Sequence, residues 1–524
     1  MSQEPGPGPM RRCALSLGSA LNALSPPSAR PNRVRGRFTA SATDGNGKQR
    51  HTYTDVRGAI TSVKELNGTS QIWTSYTYDP MGQVTAITDD KNNVTRAAYD
   101  GLGRRTVFDS PDAGRAETRY DLAGNVTAKI TANLRAAGRT IEYDYDYSRL
   151  KAVRYPSFPA NDVTYSYGAP GAADNAASRI TEVRDAAGTT TRGYGPLGEL
   201  TRETRAISAV DGAPRTYTTA WRYDSFNRVL QLAYPDSEVL TYTYDSGGQV
   251  TRRPGSRAGT DYTYLERLDY DKFGQKTLQE TGNGVRTTYT YDAEDRRLAT
   301  LRSGAPTESA FQDVGYTYDA AGNVTALANS APQNAEIGGP SSQTYAYDDL
   351  NRLTAASGQY TDKNNQVNKY TLTLGYDSIH NTTSKSQSHE ITGGVPAFPV
   401  DAGSPGPIEP VDDPSNAADV QDRTSYDYDY GGDKPHAPSR VGSITQAYDA
   451  NGNLTATVNT AAPGKRRQYV WDEENRLACH HDTTASTVEQ SPAGCEDATV
   501  SYVYDAAGER VVKNGDSWFA SALE

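Results

Sequence analysis

Tyrosines two residues apart, with threonine between them, recur along this chain, as in Tyr76-Thr77-Tyr78, Tyr242-Thr243-Tyr244 and Tyr316-Thr317-Tyr318. Side chains of an extended strand alternate between two faces, so each pair places both rings on one face and threonine on the wetter one. Turn chemistry follows at once: Asp79-Pro80-Met81-Gly82, Asp245-Ser246-Gly247-Gly248 and Asp319-Ala320-Ala321-Gly322. Aspartate at the first turn position can bond its own backbone, and Pro80 suits the second position of a type I turn. Gly82, Gly124, Gly248 and Gly322 tolerate the left-handed conformation that closes a hairpin through a bulge. Val or Leu, then Thr, starts the return strand. The pattern predicts a β-hairpin, repeated without helical crossovers.

The second tyrosine of the unit falls at 78, 99, 120, 145, 167, 194, 223, 244, 270, 291, 318, 347 and 376, which is 12 intervals over 298 residues. The period resumes at Tyr448, Trp471 (in the tyrosine slot) and Tyr504. Tyr167 and Tyr194 are followed by Gly168 and Gly195, so the aspartate is replaceable, which points to a structural role. So many strands cannot remain one flat sheet; they must curl, split or close. The expected fold is all-β: tandem hairpins winding into a spiral strip, a shell or tube wall. Tyrosine and aliphatic ladders are expected to stack from turn to turn over little solid core.

Two segments break the period. Residues 1–48 carry Pro5, Pro7, Pro9, Pro26, Pro27 and Pro31, with Arg30, Arg33, Arg35 and Arg37, and read as a poorly ordered tail. Arg11-Arg12 and the following Cys13 to Leu24 loosely imitate a secretory signal, but polar residues interrupt it and no clean cleavage site follows. Residues 384–440 hold Pro396, Pro399, Pro405, Pro407, Pro410 and Pro414 beside Asp401, Glu409, Asp412 and Asp413. They read as an insertion at a hairpin tip, where added length costs little. The hairpin array then occupies 49–383 and 441–524.

Composition agrees. Of 524 residues 35% are hydrophobic, and tyrosine outnumbers phenylalanine 36 to 8, which disfavours one large aliphatic core. The net charge of 53 − 64 = −11 gives no basic footprint for nucleic acid. No run of about 18 apolar residues could span a membrane as a helix.

Candidate chemistry is sparse. Cys479-His480-His481-Asp482 with Cys495 offers soft and imidazole ligands, but the spacing matches no usual zinc finger, and adjacent histidines on a strand seldom both point inward. A Cys479–Cys495 disulfide pinning loop 489–494 stays open if the protein is exported. Asp427 and Asp429 suggest calcium, yet the EF-hand and nonapeptide patterns are absent and turn capping explains the aspartates. Trp221 with Tyr223 could stack on a glycan, although aromatic ladders in sheets more often pack. The sequons at Asn125, Asn323 and Asn453 arise from the repeat itself. No G-x-S-x-G, H-E-x-x-H or G-K-S/T signature occurs, so no catalytic residue, cofactor or metal is expected.

Tyr99-Asp100-Gly101-Leu102-Gly103-Arg104-Arg105 and Tyr120-Asp121-Leu122-Ala123-Gly124-Asn125-Val126-Thr127 resemble YD repeats of the Rhs family. The resemblance covers about residues 50–383 and 441–512. It is similar in style to the shell-forming C component of insecticidal Tc toxins and, more distantly, to teneurins. It implies a hollow β-shell around a toxic polypeptide cargo, with further shell or delivery components as partners and extracellular delivery. Bacterial members release their cargo by aspartate-dependent self-cleavage near the end of the shell. Asp79-Pro80-Met81-Gly82 has the letters of that motif but sits in an ordinary repeat turn, so no catalytic aspartate is carried over. With no core plug, cleavage motif or toxin domain after Tyr504, the chain is expected to be a truncated shell segment without its cargo. The competing expectation is a surface adhesion or carbohydrate-binding module.

Overall fold

A computed structural model describes residues 39–208, 214–333, 339–362, 366–392, 420–461, 465–483 and 494–515. These residues form 38 antiparallel strands, each hydrogen-bonded to its neighbours in sequence. The one irregularity is that Val239–Thr241 and Thr243–Tyr244 share a partner, Val250–Arg257. No strand skips to a distant partner, so the sheet is a meander that follows the chain.

The unit beginning at Ser341 shows why these residues fold this way. Strand Ser341–Tyr347 alternates strictly, with Tyr345 and Tyr347 half-buried and Thr344 and Ala346 exposed. In the turn Asn351 N–H bonds the Asp348 carbonyl at 3.0 Å, and Asp348 Oδ1 accepts from the amides of Leu350 and Arg352 at 3.0 Å each. Asn351 takes φ +60°, and the register slips between Ala346 and Tyr347, which is the bulge the turn requires.

The strip returns onto itself. Asn46 Nδ2 donates to Asp319 Oδ2 at 2.9 Å, 273 residues along, and Lys91 Nζ meets Asp377 at 2.6 Å. Further along, Asn133 N–H bonds Asn451 Oδ1 at 2.9 Å and Ala506 N–H bonds Asp185 Oδ2 at 2.9 Å. A first winding therefore closes a circuit, and a second lies against it through residue 506.

Four expectations change. The described array already includes strand Thr39–Thr43, inside the stretch 1–48 assigned to a tail, because Thr39 to Thr43 pair in register with Tyr53 to Gln49. Within the 384–440 segment, Thr382–Thr392 and Val420–Asp429 pair as strands, so the array extends into it up to both sides of residues 393–419. Those residues, the tail before residue 39 and Cys13 lie outside the described ones. The windings meet through turns rather than through stacked tyrosine ladders. One compact core does exist: Ile130, Leu134, Ile141, Val153, Tyr155, Val163 and Val183 pack where the short helix Ala132–Ala136, capped by Thr131, replaces a tight turn.

Candidate functional site: the wall and its seam

Two kinds of side chain recur as ties between one unit and the next. Tyr78 Oη donates to the Ile60 carbonyl at 2.7 Å, Tyr347 Oη to Val324 at 2.8 Å, and Tyr376 Oη to Leu353 at 2.8 Å. In each case the acceptor opens the return strand of the preceding hairpin. Trp471 keeps the link with its indole N–H, 2.6 Å from the Leu454 carbonyl. Burial raises these phenols, Tyr430 to about 12, so they remain protonated donors.

The residue four places after the turn aspartate makes the second tie. Arg352 Nε bonds Asp348 Oδ2 at 2.8 Å, its NH1 reaches the Asp377 carbonyl of the next turn at 3.0 Å, and its guanidinium lies 4.6 Å over the Tyr376 ring. Arg104 repeats this with Asp100, Asp121 and Tyr120, and Gln83 reaches the Gly103 carbonyl. The recurring Arg, Gln or Asn after the turn glycine was visible in the sequence, but its outward reach was not. Where Gly195 stands in the aspartate slot, Glu199 supplies the missing oxygen, with Oε2 2.9 Å from Leu197 N–H. The aspartate is thus replaceable when a carboxylate arrives from elsewhere in the turn.

The seam joins the aspartate turns of the second winding to the opposite rim of the first. Lys48 meets Asp349 at 2.6 Å and Lys129 meets Glu474 at 2.6 Å. Asp349 is lowered by its bond to Lys48 and by the Gly68 N–H. Burial pushes Asp377 up, but Lys91 and the Asn381 amide outweigh it and leave that carboxyl lowered. Asp112 raises His436 above its usual range across a 2.7 Å contact. Solvent screens these partly exposed pairs, so each contributes little by itself. A deeper contact is Glu473, 5% exposed, whose Oε1 accepts from Ser157 N–H at 2.5 Å and Phe158 N–H at 3.0 Å.

The cysteine-histidine segment lies on strand Leu477–Thr483, and Cys479 is bridged to Cys495 with Cα atoms 5.7 Å apart. The thiolates that a zinc reading needs are consumed. Both neighbouring histidines are buried, contrary to the alternation argument, because the strand is covered on both faces. His480 lies between the rings of Tyr469 and Tyr502, where burial and then Arg467 lower it; His481 Nε2 meets the Gly494 carbonyl at 3.1 Å. Among the described residues no three His, Cys, Asp or Glu side chains are grouped to hold a metal.

Other candidates are structurally occupied. Trp221 is half-buried opposite Leu232, and Tyr223 Oη bonds the Leu200 carbonyl at 2.9 Å. Asp429 Oδ1 caps Gly431 N–H at 3.0 Å. Asn125, Asn323 and Asn453 each turn their amide onto the aspartate of their own turn. Asp79 Oδ1 accepts from Met81 and Gln83 amides, as any repeat turn does.

No family model matches the chain. It is 33% identical over 158 residues to toxin subunit YenC2 of Yersinia entomophaga, covering 28% of this chain and 16% of that protein. It is 30% identical over 315 residues to double-stranded DNA deaminase toxin A of Burkholderia cenocepacia, covering 56% and 20%. Its fold matches the Photorhabdus luminescens Tc holotoxin pore with a TM-score of 0.74 at 19% identity, over 94% of this chain and 25% of that one. A TcdB2–TccC3 crystal structure matches with a TM-score of 0.66 at 18% identity, over 90% and 26%. The chain thus spans between 16% and 26% of the length of these proteins. The chain shares the fold of these Tc toxin structures, and its repeat resembles the YD repeats of the Rhs family.

Proposed function

We propose that this YD-repeat chain is a non-catalytic wall segment of a toxin shell, enclosing a polypeptide cargo and delivered with it outside the producing cell. The observation that carries the reading is the closed circuit: a meander, among the described residues, whose second winding is bonded to its first. A wall of sequentially paired strands leaves few free edges, and its recurring turn aspartates, tyrosines and arginines hold neighbouring units. The non-catalytic part is supported by the same engagement and by the bridged cysteines. The H-x-E and P-C-x-x-C signatures of zinc deaminases do not occur in the sequence. Glycan binding is not favoured, since the Tyr223 hydroxyl is bonded within the wall.

Small-angle scattering on the purified chain tests the hollow wall. A compact chain of this length would have a radius of gyration of about 24 Å; a wall around solvent gives a larger value and a central minimum in electron micrographs. A compact, filled particle would sink the proposal. Conversion of cytosine in double-stranded DNA by the chain alone would overturn its non-catalytic part.

A further inference from the structure

Four polar atoms converge beside the strand Leu477–Thr483, and three of them belong to side chains. Cys479 and His481 stand two places apart on that strand, so both point to one face of it. Cys479 is fully buried and His481 is 9% exposed, with Cys479 Sγ 3.8 Å from His481 Nε2. Cys495, bonded to Cys479, reaches the same spot from 16 residues further along. The Gly494 carbonyl completes the group, 3.1 Å from His481 Nε2 and 3.9 Å from Cys479 Sγ. A carbonyl can only accept, so His481 Nε2 carries a proton toward it while the bridge is closed.

The sulfur–nitrogen distance is close to the edge of a zinc tetrahedron. Zn–S bonds of about 2.3 Å and Zn–N bonds of about 2.0–2.1 Å put the two atoms roughly 3.6 Å apart at the tetrahedral angle. The backbone that carries the donors is held by more than the bridge. Cys479 and His481 pair with Val470 and Gln468 on one side, and Cys479 pairs with Ser501 on the other. Asp482 N–H bonds Thr499 Oγ1 at 2.8 Å and Ala498 N–H bonds the Cys495 carbonyl at 3.4 Å, which keeps Cys495 beside the strand. What the closed bridge withholds is ionisable sulfur.

We propose that reducing the Cys479–Cys495 bridge turns this group into a zinc site, with Cys479, Cys495 and His481 as side-chain ligands and the fourth position on the Gly494 side. A dithiol reductant supplies two electrons and two protons, closes to its own disulfide, and leaves two thiols on the chain. Zinc then takes both thiolates and the two protons go to solvent, while His481 moves its ring proton to Nδ1 and gives the metal the lone pair of Nε2. Thiolate and imidazole in a tetrahedral frame select zinc over calcium or magnesium. The last hairpins are thereby pinned in both media, sulfur to sulfur in an oxidising one and through the metal in a reducing one. Nothing in this site depends on whether the wall encloses a cargo.

Zinc titration of the full chain tests this, with Cys13→Ser so that only these two thiols remain. After reduction with a dithiol and desalting without air, the chain should bind one zinc with a Kd of roughly 1 µM or tighter, and the same chain left oxidised should bind none in that range. Cobalt in place of zinc should give thiolate-to-metal charge transfer and tetrahedral d–d bands. His481→Gln should still form the bridge, read from the mass of the oxidised chain, yet lose at least the roughly tenfold in affinity that removing an outer-shell partner costs. Should that variant not fold, the cobalt spectrum of the reduced parent decides by itself. Zinc should also reverse the cutting between residues 477 and 514 that reduction in a chelator brings about. A reduced chain that binds no zinc, equal binding by the oxidised chain, a cobalt spectrum without sulfur bands, or affinity untouched by His481→Gln would overturn the proposal.

Discussion

Removing the Glu473 carboxylate is the sharpest probe of how the windings are held. Its Oε1 accepts from the backbone amides of Ser157 and Phe158, 316 and 315 residues away in sequence. Glu473→Ala strips both donors of their partner. A hydrogen bond to a charged group is worth about 1.5–3 kcal/mol, and the low end applies because Ser157 and Phe158 are only half-buried and water can partly replace the acceptor. The expected loss is about 3 kcal/mol, or roughly a hundredfold in the local opening equilibrium at ~1.4 kcal/mol per decade. A repeat array need not unfold as one unit, so a global midpoint would blur the effect. Amide hydrogen exchange at Ser157 and Phe158 reads it directly. Glu473→Gln keeps an acceptor oxygen and should speed exchange about tenfold or less on the same scale. Unchanged protection in the alanine variant would refute the reasoning. Equal effects of Ala and Gln would show that the acceptor is not what matters.

Gly452 and Gly82 have φ of +82° and +86°, so alanine at either costs about 1 kcal/mol in backbone strain. Only Gly452→Ala also presses on the Asp112 carbonyl, 2.6 Å from where its Cβ would stand, so amide exchange around its turn should rise clearly more than around the turn of Gly82→Ala. Reducing the Cys479–Cys495 bridge, which closes a separation of 16 residues, should cost the last hairpins about 3 kcal/mol. Limited proteolysis should then cut first between residues 477 and 514. The seam also depends on pH in two directions. Asp349 and Asp377 are lowered in the fold, so their contribution is present above the unfolded carboxylate value of about 4 and fades as pH falls through the folded one. His436 is raised, so its contribution is full below about 6.5 and is lost as pH rises through its folded value. Energy transfer between dyes on the two rims should be greatest between about pH 4 and 6.5; a flat profile would refute the assignment.

The hairpin was legible because everything that makes it is local. The tyrosine alternation, the aspartate and the left-handed residue lie within ten positions, and each has one conformational reason to be there. The seam was not legible. Lys48 and Asp349, or Glu473 and Ser157, share no periodicity, and their pairing depends on how much curvature each hairpin adds to the strip. Thr39 to Thr43 were missed as a strand because TASAT has no tyrosine marker, although it alternates well enough to pair. The burial of both His480 and His481 was missed for a related reason: alternation assigns faces, but it cannot say that both faces will be covered.

Strict pairing of neighbours in sequence also sets an order of events during synthesis. Each hairpin can add to the one before it as soon as it emerges, since little loop closure separates partners. Asn46, however, must wait 273 residues for Asp319. At about 5–20 residues per second, the first part of the wall stands open for roughly 15–55 s. Closure is therefore timed by the ribosome, and a cargo enclosed as proposed would have to be positioned relative to that clock.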